Sequence, residues 1–278
     1  MDPAYEKEIT EYRSRAEESL RGPEGWLTVV GLFWLKQGDT TIGSDPGNAI
    51  TLAPSAAKSV GTLSLLGEKV SLTLAADVEI DGTPLKARDR VSPVDLNDDA
   101  VDGVAPATVK SGHVKFFVIK RKNGIAVRVK DEDSEARRHF SGRRWYAPNP
   151  SFRIDADWVP FDPPRKVGVP DVLGNINEQT APGLARFTVD GETVELTPII
   201  EGDSLFFVFR DHTSAHETYG AARFLNTRMP ENGHVLLDFN RAVNPPCAFT
   251  AYATCPIPMK ENVLNVAIRA GELKPDAH

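Results

Sequence analysis

The sequence predicts a mainly β protein, in which one N-terminal amphipathic helix precedes a β-sandwich and then an antiparallel β-barrel or sandwich domain. Three observations carry that expectation. Apolar residues recur with a period of two over most of the chain beyond residue 23, three Asp-Gly or Asn-Gly pairs stand between such segments, and apolar spacing of three and four is confined to the N-terminus. Period two puts successive side chains on opposite faces of a strand, and an Asn-Gly or Asp-Gly pair accepts the positive φ of a two-residue hairpin turn.

The helix comes first. Asp2 is placed to cap it, Pro3 suits its first turn, and Tyr5, Ile9, Tyr12, Ala16 and Leu20 fall on one face before Gly22-Pro23 stops it. Hairpins are then expected at Asp81-Gly82, Asn123-Gly124 and Asp190-Gly191. "SLFFVFRD" is so continuously apolar that it predicts a strand in the middle of a sheet, and "HVLLDFNRA" adds another. In "KENVLNVAIRAGE", Asn262 is expected to turn the chain into a last strand.

Alternation fades at residues 93–112, where Asp, Gly and Pro gather, so a domain boundary is expected there. That gives a helix at 1–23, a sandwich at 24–112 and an antiparallel β domain at 113–278. The Pro-rich stretch 147–174 follows Trp145 and Tyr146 and contains Phe152, Trp158 and Phe161. These aromatics predict a packed, wrapping connection instead of a solvated linker.

Size and charge limit the function. A chain of 278 residues buries a substantial core, and its net charge of −7 with a pI near 5.5 disfavours a nucleic-acid partner. The longest apolar stretch, Trp26 to Leu35, is about half of the roughly 20 residues that span a bilayer, so no membrane partner is expected. The acidic N-terminus lacks a hydrophobic signal core and there are two cysteines, which together read as a cytoplasmic protein in a reducing compartment. A homo-oligomer is compatible with all of this, and no cofactor is expected.

Several blocks resemble a known family. "GWLTVVGLFWLKQGDTTIGSD", "VPDVLG", "ETYGAARFL" and "LDFNRAVNPPCAFTAYATCPIPMKENVLNVAIRAGE" are similar to the bacterial proteins grouped as domain of unknown function 1684, a resemblance that implies no activity. The segment from Thr40 to Leu85 resembles a forkhead-associated sandwich in cadence, with a glycine turn, a strand, a loop and a "VEIDG" hairpin. Phosphothreonine-binding members of that group place an arginine after the first glycine, where this chain has Ser44 after Gly43. Serine lacks the cationic fork that holds a phosphate dianion, so the shape is implied without phosphopeptide binding.

Three clusters carry candidate chemistry. In "RDHTSAHETYGAARF", Glu217, Tyr219 and Arg223 share parity along a strand and offer an acceptor, a hydroxyl and a guanidinium, which makes them the catalytic candidates. His212 and His216 are too few for a zinc site, which needs at least three ligands, and the segment's Thr and Ser residues favour a turn over a helix. In "DFNRAVNPPCAFTAYATCP", Asp238 and Asn240 share parity, followed by Arg241 and Asn244, and all four are candidate ligand contacts. Cys247 and Cys255 lie too far apart in sequence for a zinc knuckle and read as small buried hydrophobes. The arginine-rich run Arg137, Arg138, His139, Arg143 and Arg144 ends in Trp145 and Tyr146, and Arg144, Trp145 and Tyr146 complete the ligand-binding candidates.

A small-molecule partner follows, specifically a polar or anionic metabolite bound in the C-terminal β domain. One alternative is a hydrolase with Glu217 as general base and Arg223 stabilising developing negative charge. Another is a phosphate-independent protein-interaction module formed by the front domain.

Overall fold

The computed structural model describes residues 1–89, 93–100 and 103–276. The protein is mainly β, with a helix at Pro3–Arg21 and, among the described residues, four sheets. Asp2 accepts a hydrogen bond from the Ala4 amide at 3.0 Å, as a capping residue should, and Tyr5, Ile9 and Leu20 are buried on one helix face. Among the described residues no helix is long and apolar enough to cross a membrane.

Contacts divide the chain into two compact units, one of residues 20–140 and one of residues 1–19 with 141–278. In the first, a six-stranded sheet (Val29–Trp34, Gly124–Asp131, Val114–Arg121, Val109–Ser111, Val78–Ile80, Thr83–Leu85) shares its core with a five-stranded sheet (Ile50–Thr51, Gly38–Gly43, Gly61–Leu66, Lys69–Leu74, Val94–Leu96). Ile42, Leu63 and Leu72 from one meet Val109, Phe116 and Val127 from the other, which is a sandwich. Ser44 after the first glycine uses its hydroxyl to donate to the Ala56 carbonyl at 2.9 Å.

This division differs from the expected boundary at 93–112. That stretch supplies Val94–Leu96 to one sheet and Val109–Ser111 to the other, and the hairpin Val114–Arg121 with Gly124–Asp131 pairs to Val29–Trp34, so the unit extends to residue 140. Residues 101 and 102, inside the expected boundary, lie outside the described residues.

Two of the three expected turns form as read. At Asp190-Gly191 both residues have positive φ (53° and 84°) between Val189 and Glu192, the signature of a tight hairpin, and Asp81-Gly82 behaves alike. The third is displaced by one residue. Arg121 pairs with Gly124, so Lys122 and Asn123 form the turn and Gly124 opens the next strand.

The second unit contains a four-stranded sheet (Glu192–Leu196, Ile176–Val189, Arg153–Pro170, His234–Asp238) and a three-stranded sheet (Ile199–Glu201, Ser204–Phe209, Arg223–Arg228). Neither closes into a barrel. They share a core in which Phe187, Phe207, Phe209 and Phe239 meet Leu196, Leu225 and Leu237, with Phe239 in ring contact with Phe187 and Phe209. Ser204–Phe209 is the central strand of its sheet, as its apolar run requires.

Three local expectations are corrected here. The Pro-rich stretch is not a wrapping connection but the long strand Arg153–Pro170. Its ladder with Ile176–Val189 is interrupted between Pro160 and Arg165, and Pro163 and Pro164 sit in that gap, where no ladder N–H is needed. Strand His234–Asp238 ends at Asp238 and Asn240 lies in the following 3-10 turn Phe239–Arg241, so strand parity does not relate the two. The segment after Asn262 is extended, with Leu264, Val266, Ile268 and Ala270 buried alternately, yet its only strand-like pairing among the described residues up to Ala270 is one bridge from Val263 to Arg210. Asn262 itself is buried and binds three backbone groups across the core, accepting from the Thr197 amide and donating to the Thr197 and Val208 carbonyls.

Candidate functional site

The sequence-predicted residues separate into three polar networks and one open hollow, all within the C-terminal unit.

The first network surrounds Arg223. It opens the strand Arg223–Arg228 and is wholly buried; its Nη1 donates to Asp211 Oδ2 at 2.8 Å and to the Ile268 carbonyl at 2.9 Å, while Nη2 donates to the Ala270 carbonyl. Burial lowers its pKa, and the adjacent Asp211 carboxylate opposes that shift. Asp211 also accepts from the Thr213 amide at 2.8 Å and from the Thr213 hydroxyl. Arg223 therefore ties the end of a strand to the extended 263–270 segment, and no face of it is open to a ligand.

Glu217 is not on a strand with Arg223. It lies within a tight turn at Thr213–Thr218 and is partly exposed; its Oε2 accepts from the Tyr146 hydroxyl at 2.8 Å and its Oε1 faces Arg269 Nε at 3.2 Å. Burial, and then the hydrogen bond to Glu217, raises the Tyr146 pKa, so the phenol stays protonated as a donor. Tyr219 turns elsewhere and donates to the Cys247 carbonyl at 2.8 Å. The three catalytic candidates thus point into three different environments.

The second network surrounds Glu272. This carboxylate is buried against Arg143 and accepts from the Asn244 amide at 2.7 Å, while Asn244 Nδ2 donates to the Leu273 carbonyl at 2.8 Å. Burial outweighs the Arg143 charge and the Asn244 amide, pushing the Glu272 pKa up to about 7. Trp145 bridges to Glu272 through the backbone, and Arg13 lies over the Trp145 ring at 4.8 Å. Arg144 instead faces outward and pairs with Asp276. The remaining arginines of that run are also engaged: Arg137 donates to the Arg21 and Glu132 carbonyls, and Arg138 lies 3.5 Å from Asp133.

The third network joins Asp238 and Asn240 to the N-terminal helix. Asp238 accepts from the Tyr5 hydroxyl at 2.8 Å and from the Asn240 amide, capping the 3-10 turn. Asn240 is wholly buried, accepting from the Asn149 amide and donating to the Asn149 carbonyl and the Tyr5 hydroxyl. Arg241 pairs with Glu8, lies 3.3 Å from Asp238 Oδ2 and stacks over Tyr12.

Asp238 and Arg241 also border an open hollow of about 600 Å3. Its walls come from the solvent side of two strands, with Arg153 and Asp155 paired opposite Asp238 and Leu236, and from the Asn226–Met229 edge of the other sheet, while Glu8 reaches in from the helix. Glu217, Tyr219, Arg223, Asn240 and Asn244 do not line it. The lining is of mixed sign, with carboxylates of Glu8, Asp155, Asp203, Glu231 and Asp238 against guanidinium groups of Arg153, Arg228 and Arg241. Glu8, Arg241 and Asp238 neutralise one another in part. Arg228 is exposed, and its guanidinium makes no hydrogen bond or ion pair among the described residues.

Residues 138–273 match the family described as "Protein of unknown function (DUF1684)". The match spans just under half of the chain and supports the resemblance read from the C-terminal blocks, whereas the block beginning Gly25-Trp26 lies outside it. All three networks draw most of their members from the DUF1684 span, while Tyr5, Glu8 and Arg13 are contributed by the helix ahead of it. No curated protein matches the chain. A solved structure that does is the uncharacterized protein from gene locus rrnAC0354 of Haloarcula marismortui, determined by solution NMR. It is 28% identical, with 51% of this chain and 81% of that chain covered and a TM-score of 0.43.

Sequence reasoning missed Asp211, Glu272, Arg153 and Arg228. Asp211 carried a signal, since it stands two residues past an apolar central strand, where a carboxylate is buried and in need of a partner. The wall residues carried none, because polar alternation on an exposed strand face looks the same with or without a hollow above it.

Proposed function

We propose that this protein binds a small polar metabolite in the hollow between Arg153, Arg228, Asp238 and Arg241. The observation that carries this is Arg228, an exposed arginine whose guanidinium makes no hydrogen bond or ion pair among the described residues, on the wall of a concavity of about 600 Å3, within the ordinary range for small-molecule sites. The opposed charges of the lining favour a ligand that carries both an ammonium and a carboxylate or phosphate group over a purely anionic one, since an anion alone would face Asp155, Asp203 and Glu231. Hydrolysis with Glu217 as base and Arg223 as anion stabiliser has no comparable support, because Arg223 is wholly buried and its Nη donors are directed at Asp211 and two carbonyls inside the core.

Ligand-observed NMR against a panel of amino acids, phosphorylated amines and dicarboxylates tests the proposal. A zwitterionic binder is expected. Its affinity should fall about tenfold or more in Arg228→Ala, the loss of one charge-assisted hydrogen bond, and stay unchanged in Glu217→Gln. Binding that survives Arg228→Ala and is lost in Glu217→Gln would move the site to the Tyr146–Glu217 cluster.

A further inference from the structure

Cys247 and Cys255 are eight positions apart in sequence, and the fold brings them together. The Cys247 amide lies 3.4 Å from Cys255 Sγ, and neither residue is in a disulfide. One N–Cα bond further on, the Cys247 Cα is within about 5 Å of that sulfur, inside the reach of a disulfide formed by side-chain movement. Cys255 is buried and its position is fixed on both sides: its carbonyl accepts from the Val172 amide at 3.0 Å, and the Ile257 amide donates to the Pro170 carbonyl at 2.8 Å. Cys247 is only half-buried, in the 3-10 turn Pro246–Ala248, with the Tyr219 hydroxyl on its carbonyl.

We infer that these residues form an oxidisable dithiol, in which Cys247 reacts with hydroperoxides and Cys255 closes the disulfide. The Cys247 thiolate attacks the terminal oxygen of the peroxide, forming an S–O bond and breaking the O–O bond. The peroxide's other oxygen leaves as alkoxide or hydroxide and takes a proton from solvent. The Cys255 thiol then attacks the Cys247 sulfenic acid, the S–S bond forms, and hydroxide leaves as water with the Cys255 proton. Two thiols are oxidised and one peroxide is reduced to an alcohol, or to water, together with one further water. An external thiol returns the pair by exchange.

The order of events follows from the surroundings. The hydrogen bond with Cys255 outweighs burial and, with a smaller contribution from the Tyr219 hydroxyl, brings the Cys247 pKa down to about 7. More of it is then thiolate at neutral pH than of an ordinary cysteine, which is mostly protonated there. Cys255, buried behind it, is the resolving partner.

The test is treatment of the full-length, fully reduced chain with hydrogen peroxide, followed by thiol titration and peptide mapping. Both thiols should disappear together, a linked Cys247–Cys255 peptide should form within one chain, and dithiothreitol should restore both. Cys255→Ser should leave a Cys247 sulfenic acid that dimedone traps, whereas folded Cys247→Ser should keep its Cys255 thiol. Persistence of both thiols in the wild type, or oxidation beyond sulfenic acid without a linked peptide, would overturn the inference. A dimedone adduct on Cys255 in place of Cys247 would overturn the assignment of the attacking thiol.

Discussion

Replacing Arg223 with alanine is expected to destabilise the C-terminal unit by about 3–5 kcal/mol, the usual consequence of leaving one member of a buried ion pair without its partner. Asp211 would keep its contacts with Thr213 but lose the guanidinium at 2.8 Å, and the Ile268 and Ala270 carbonyls would lose their donors. The melting temperature should fall on the order of 10 °C. A double variant, Asp211→Leu with Arg223→Met, should be less destabilised than the two single changes sum to, because neither charge is then stranded. Thermal denaturation of the wild type, Arg223→Ala, Asp211→Leu, Arg223→Met and the double variant checks this. A stable Arg223→Ala protein that had merely lost ligand binding would mean that Arg223 belongs to a site after all.

Glu272 gives the second large effect, and its sign is opposite to that of most carboxylates. Its pKa in the folded chain is raised to about 7 from 4.5, so the native state holds a proton that the unfolded chain has released across that interval. Its stabilising contribution is fully present below about 4.5 and is lost as pH rises through about 7, amounting to something on the order of 3 kcal/mol. Urea denaturation of the wild type and Glu272→Gln at intervals across that range isolates the group, since all other titrations cancel in the difference. The variant should gain stability relative to the wild type as pH rises. A difference that is flat with pH, or that falls, would mean that Arg143 holds Glu272 ionised throughout.

How much of this was legible in the sequence depends on whether a feature is local. The helix was readable from Asp2, Pro3 and the apolar spacing because capping and periodicity act within a turn or two of chain. The Asp190-Gly191 hairpin was readable because two residues supply the whole turn. Asn123-Gly124 misled by one position because a hairpin register also depends on which strand residues pair, and Arg121 pairs with Gly124. The prolines of 147–174 disguised a strand, since composition does not tell that Pro163 and Pro164 gather where the ladder is already broken.

The site was less legible than the fold. Shared parity among Glu217, Tyr219 and Arg223 presumed one continuous strand, but the strand begins only at Arg223, after the Thr213–Thr218 turn. Parity also identifies a face and not a depth, which is why a wholly buried arginine resembled a ligand-facing one. The hollow depends on contacts across about 80 residues or more, such as Arg153 opposite Asp238 and Glu8 beside Arg241. No local pattern encodes these.

The most direct measurement is amide chemical-shift mapping of the isotope-labelled chain, titrated with the tightest zwitterionic binder from the NMR panel. Perturbations are predicted to concentrate at residues 153–155, 226–231 and 234–241, the walls of the hollow. Perturbations centred instead on Tyr146, Glu217 and Arg269, with the hollow residues unmoved, would contradict it.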